Sequence, residues 1–141
     1  MARMDIEFPG PVDCEVTLPV RITDINYGNH VGHDTVMGFL HEARVKWLAS
    51  FGLSEVDVGG CGLIMSDTSI VFKGEIFYPA TLKVDLHAAA ISRSSFDVYY
   101  RVTREQEHVV TAKTGMVCFD YERRKPVRIP DRLREVAGWS V

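Results

Sequence analysis

The chain has 141 residues, 46% hydrophobic and 10% aromatic, enough for one domain over 1–141 with a core of its own. Lys and Arg number 16 and Asp and Glu 19, a net charge of -3 that carries no basic excess for nucleic acid. No segment reaches the roughly 20 apolar residues of a membrane helix, and MARMDIEFPG has no apolar run that would make it a leader, so a soluble, unprocessed chain is expected.

Cys14, Cys61 and Cys118 are odd in number and lack a CxxC pair. They imply neither a disulfide framework nor a zinc site, and they fit a reducing cytoplasm with no metal or other cofactor. Arg123, Arg124 and Lys125 form a short basic cluster beside Pro126, read as a solvated turn.

The first element is a strand over Cys14 to Thr23, where Val16, Leu18, Val20 and Ile22 alternate; Pro19 marks it as an edge or a bulge. TDINYGNHVGHD follows as a polar loop. From His33 to Phe51 the period becomes helical, with Val36, Leu40, Ala43 and Trp47 on one stripe and Met37, Leu40, Leu48 and Phe51 on another. Two overlapping stripes predict a largely buried helix, and Gly52 stands where its C-cap belongs. Strands then fill Gly62 to Lys73, Glu75 to Ile91, Phe96 to Arg104 and His108 to Phe119, broken at Gly74, Pro79, Ser92 to Ser95 and Glu105 to Glu107. One long helix among antiparallel strands predicts an α+β domain whose sheet wraps the helix.

VRITDINYGNHVGHDTVMGFLHEARVKWLASFGL resembles the first motif of hotdog-fold acyl-CoA thioesterases of the 4-hydroxybenzoyl-CoA thioesterase type. That family shows an Asp-x-Asp segment, a Gly-His-Val-Asn turn, a helix with Glu-Ala-Arg and a Leu-Gly or Phe-Gly-Leu ending. Here the second Asp is Asn26 and Asn29 separates Gly28 from His30, while Glu42-Ala43-Arg44 and Phe51-Gly52-Leu53 match. GEIFYPATLKVDL resembles the family's Tyr-x-x-Pro strand pair, and VRIPDRLRE its C-terminal Ile-Pro segment. The resemblance implies the hotdog fold and hydrolysis of an acyl-CoA or acyl-carrier-protein thioester. It also implies a homodimer or a dimer of dimers; from charge and hydropathy, no nucleic acid and no membrane is expected as partner.

Aligned through Val31, the family's catalytic second Asp falls on Asn26. A carboxamide can orient a carbonyl or a water but cannot serve as nucleophile or base. Asp24 remains acidic, either sharing a face with Asn26 or bonding its own turn. His33 falls where one short-chain acyl-CoA branch carries a functional His, and His30 matches the His of the Gly-His-Val turn; each reads equally well as a structural His bonded to backbone.

A thioester hydrolase needs donors for the developing oxyanion, and a helix N-terminus supplies unpaired N–H groups. Gly32 and His33 stand there, and a backbone amide at this place holds the oxyanion in the resembling families. The missing carboxylate is expected from the helix: Asp34 or Glu42, with His41 beside them. At 100° per residue Asp34 and His41 lie about 20° apart and Glu42 about 80° from Asp34. Asp34 also reads as a helix cap and Glu42 as the partner of Lys46. Ser66, Thr68 and Ser69 are candidates for the acyl pocket, and Arg93 resembles a basic residue that some relatives place near the CoA phosphates.

Two other classes stay open. DIN at Asp24 to Asn26 is similar to the Asp-x-Asn-Pro-x-His segment of hotdog hydratases, but Tyr27 replaces the Pro and His30 lies one residue too far. Asn26 also allows a noncatalytic acyl-thioester binder.

Overall fold

A computed structural model describes residues 4–140. Five long strands form one antiparallel sheet: β1 (Cys14–Pro19), β2 (Gly62–Phe72), β3 (Thr81–Ala89), β4 (Ser95–Arg104) and β5 (Glu107–Asp120), in the order β1-β3-β4-β5-β2. A two-residue strand, β6 (Lys125–Pro126), pairs with β5. Helix α1 (His33–Ala49) lies against the inner face, and a short helix α2 (Asp131–Ala137) follows β6.

Apolar residues at period two face inward along β3 and β4. Leu82, Val84 and Leu86 of β3, and Phe96, Val98, Tyr100 and Val102 of β4, are all no more than 1% exposed. They meet Val36, Leu40, Ala43 and Trp47 of α1, the stripe read from helical spacing. Burying side chains of this size contributes about 1.5–3 kcal/mol each.

Four details depart from the sequence reading. β1 ends at Pro19, which has no N–H for a ladder, and Ile22–Asp24 turn into a short 3-10 helix that leaves Ile22 exposed. The strand expected from Glu75 begins only at Thr81. Residues 74–80 pack instead against the start of α1, with the Val31 N–H donating to the Ile76 carbonyl at 2.8 Å. Helix α1 is not largely buried: Asp34, Gly38, His41, Glu42, Val45, Lys46 and Ala49 remain exposed on its outer side. Finally, α2 was not anticipated, although Pro130 at its start and Gly138 past its end, at φ 78°, are its sequence signature.

Gly52 terminates the helix as expected. At φ 75° it closes a Schellman motif, with the Leu53 N–H on the Leu48 carbonyl and its own N–H on Ala49.

A buried polar network fixes α1 on the sheet. Arg44, 6% exposed, donates from Nη1 to the Tyr100 hydroxyl at 2.9 Å and from Nε to Glu55 Oε1 at 3.1 Å. The Tyr100 hydroxyl is shared in turn with Thr114 Oγ1 at 2.7 Å. Burial pushes the Tyr100 hydroxyl above its ordinary range, against the pull of Arg44 and Thr114, so it stays a phenol. His41 reaches the same Glu55 carboxylate at 3.3 Å. The three cysteines are free, and burial, with Cys61 alongside, pushes the Cys118 thiol up to about 12.

The network predicts a graded stability series in urea unfolding. Arg44→Met removes the cation that Glu55 and Tyr100 share, leaving them His41 and Thr114 respectively as partners, and should cost about 3 kcal/mol or more. Tyr100→Phe removes one shared hydroxyl and should cost about 1–3 kcal/mol. Equal costs, or a neutral Arg44→Met, would show that the network does not hold the helix.

Candidate active site

The loop before α1 is built from its own polar side chains. Asp24 is 5% exposed and accepts the Arg21 backbone N–H at 2.7 Å and its Nη2 at 3.2 Å, closing the 3-10 turn. Both oxygens are used, so the local role considered from sequence is the one its geometry fits. Asn26 Oδ1 accepts the Gly28 N–H at 2.8 Å, while the Asn26 and His30 backbones pair at 2.9 Å. The left-handed residue of this turn is Asn29, at φ 71°, a conformation that Asn tolerates better than most side chains. His30 folds back with Nδ1 3.0 Å from the Gly28 carbonyl and acts as part of the turn.

With Oδ1 committed to Gly28, Asn26 has its amide Nδ2 left to use. That atom lies 3.4 Å from the point where a Cβ on Gly32 would stand, and Asp34 Oδ1 lies 2.8 Å from the same point. Three of the predicted residues, Asn26, Gly32 and Asp34, therefore converge on one spot. Gly32 is the N-cap of α1, with extended φ and ψ, and no side chain caps the helix. The first amides of the helix are thus open to an anion, and the dipole favours one there. A methyl at this position would have to displace the end of the Asp34 side chain.

His33, the first residue of α1, sits exposed beside the others with its ring 4.6 Å from that of Phe72. These two rings share a cavity of about 340 Å³ with Val31, Val36, Ile76 and Val110, whose polar wall is His30, Lys73 and Glu75. Sequence reading missed Phe72, Lys73 and Glu75. The break of apolar alternation in VFKGEIF was the available signal, read only as the end of a strand.

The remaining candidates lie elsewhere. Glu42 pairs with Lys46 at 3.3 Å, both more than half exposed, about 12 Å along the helix from Asp34 at 1.5 Å per residue. Ser66 lies at a bulge of β2 and donates to the Gly115 carbonyl at 3.2 Å. Thr68 faces α1, with Oγ1 4.0 Å from Met37 Sδ one turn beyond His33. Arg93 is exposed in the β3–β4 turn. Its carbonyl accepts the Ile129 N–H, at the end of the sheet where Phe96 meets Trp47, so it is remote from the start of α1 within one chain.

Comparison with known proteins agrees with this architecture. A 1,4-dihydroxy-2-naphthoyl-CoA hydrolase from Synechococcus elongatus is 25% identical over 120 residues, 82% of this chain and 88% of that protein. A namesake from Microcystis aeruginosa is 25% identical over 123 residues, 85% and 89% of the two chains. Among solved structures, a 1,4-dihydroxy-2-naphthoyl-CoA thioesterase from Synechocystis superposes with a TM-score of 0.81 at 23% identity, over 88% of this chain and 94% of that one. These likenesses bear out the hotdog fold expected from sequence. Residues 20–137 match the thioesterase-like superfamily as a family, and the chain belongs to it.

Proposed function

We propose that the chain hydrolyses acyl-CoA thioesters, with the first amides of α1 as the oxyanion hole and Asp34 as the base. The observation that carries this reading is the convergence of Asn26 Nδ2 and Asp34 Oδ1 on Gly32 at an uncapped helix N-terminus. The Gly32 and His33 N–H groups receive the carbonyl oxygen, and Asn26 donates to the carbonyl or to the attacking water. Asp34 takes a proton from that water as its oxygen bonds to the acyl carbon. When the tetrahedral intermediate collapses, the C–S bond breaks and Asp34 returns the proton to the departing thiolate. The curated relatives, named as CoA-thioester hydrolases, support CoA over an acyl-carrier protein as the thiol.

The whole of 1–141 is taken as one domain acting in the reducing cytoplasm, where three free thiols are at home. The catalytic form is proposed as a homodimer or a dimer of dimers. Among the described residues β2 pairs only with β5, which leaves its 11-residue outer edge for a second copy, with Met65 43% exposed beside its bulge. Thr68 on that strand, and Arg93 from the far end of a partner's sheet, are then the residues proposed to line the acyl and CoA ends of the site. Sedimentation of the purified chain should give a dimer or tetramer; a monomer active in hydrolysis would remove this part of the reading.

Thiol release from a panel of acyl-CoAs tests the activity. Asp34→Asn should lower kcat about 100-fold or more. Glu42→Gln should stay within about twofold, since its carboxylate serves an exposed ion pair. A loss of that size at Glu42 or Glu75, and not at Asp34, would move the base. Tight acyl-CoA binding without turnover would favour the noncatalytic binder, and hydration of crotonyl-CoA the hydratase.

Gly32→Ala separates the site from the fold. The backbone there suits any residue, so stability should change by about 1 kcal/mol or less. The added methyl displaces the Asp34 carboxylate, and kcat should fall about 100-fold. Wild-type activity in Gly32→Ala would place the reaction elsewhere.

A further inference from the structure

Lys73 stands on the wall of the cavity beside the start of α1, and Phe72 and Lys73 also bound a second cavity of about 390 Å³ lined by Met4, Asp5 and Val71. The two spaces therefore adjoin across this dipeptide. The backbone under it is pinned, since the Lys73 and Gly74 N–H groups both donate to the Val109 carbonyl at 2.8 and 3.2 Å. Among the described residues the ammonium has one ionic partner, Asp5 Oδ1 at 3.0 Å, reaching in from the chain's N-terminal segment.

The partners are unequal. The Lys73 side chain is 33% exposed and Asp5 68%, so the cation is held by the wall while the carboxylate stands toward water. Hydrogen bonding from Lys73, and from the Ile6 N–H, keeps the Asp5 carboxyl below its ordinary range, so the pair is ionic. An exposed pair of this kind is worth little in water and is readily exchanged. Among the described residues Glu75 lines the same cavity without an ion pair, and Lys73 is the only Lys or Arg in the two walls.

We propose that Lys73 binds an anionic group of the thioester substrate, and that Asp5 occupies this place in the free protein and is exchanged for it on binding. The inference rests on the thioesterase reading and adds a binding residue and a competing latch to it. A chain of net charge -3 needs a local cation to hold an anionic substrate, and a cation already paired with a loosely held carboxylate offers one at small desolvation cost. The anion has two sources, a phosphate of the CoA carrier or a carboxylate on the acyl group.

Three substrates distinguish them: benzoyl N-acetylcysteamine, which is uncharged; benzoyl-CoA, which adds phosphates; and 3-carboxybenzoyl N-acetylcysteamine, which adds a carboxylate. The readout is the KM of each charged substrate relative to the uncharged one. In Lys73→Gln that ratio should rise about tenfold for the charged substrate that uses the site, the size expected for one charge-assisted hydrogen bond. In Asp5→Asn the same ratio should fall, because the competitor is gone. Opposite shifts for benzoyl-CoA assign the site to phosphate, and opposite shifts for the carboxybenzoyl thioester assign it to an acyl carboxylate. Flat ratios, or shifts of the same sign in both variants, overturn the proposal; a pair that only fastens the N-terminal segment gives that result. Hydrolysis of the uncharged thioester by the wild-type chain tests the thioesterase reading separately.

Discussion

The placement of α1 depends on one buried guanidinium. Arg44 ties the helix to the sheet through Tyr100 and Thr114, and to the loop after the helix through Glu55. Apolar packing alone would let a helix rotate or slide by fractions of a turn on a smooth sheet, because the hydrophobic effect is non-directional. Hydrogen bonds to a planar cation are directional, and leaving any of them unmade inside the core is expensive. Since the amides at the start of α1 are rigidly joined to Arg44 by about three turns of helix, fixing one end in register fixes the other.

That register explains why the site is assembled from backbone and short side chains. Gly32 gives no side chain to cap the helix, and the turn before it is closed by Asn26, Asn29 and His30 among themselves. Loop 74–80 buttresses the same point through Ile76 and Val31. The donors at the helix N-terminus are therefore preorganised without being consumed, which is the condition for stabilising charge that appears only during reaction.

Much of this was legible in the chain. Alternation in Leu82–Leu86 and Phe96–Val102, and the stripe Val36–Trp47, each report one buried face, and local periodicity records faces directly. The start of α1 at His33 followed from Gly32 and the first apolar repeat, and with it the grouping of Gly32 and Asp34. Asn26 joined them because the turn is short. What could not be read were pairings across the fold: Arg44 with Tyr100, 56 residues apart, and Asp5 with Lys73. No periodicity marks a contact between a helix and a distant strand. Residues 75–80 misled for a related reason: their apolar side chains serve the helix start and not a ladder, so composition indicated a strand where hydrogen bonding made a loop.

The shared spot at Gly32 also limits what the loop can carry. Asn26 Nδ2 and Asp34 Oδ1 both crowd one glycine, next to a helix end whose dipole amounts to about half a positive charge. A carboxylate in place of the Asn26 amide would put a second anion beside the same glycine, and like charges placed close together oppose each other. Positions 26 and 34 therefore share one space, and an amide at the first leaves that space to the acid at the second. In the proposed reaction the acid stands on the helix and not on the loop, and a neutral residue at position 26 is what keeps a second negative charge away from it.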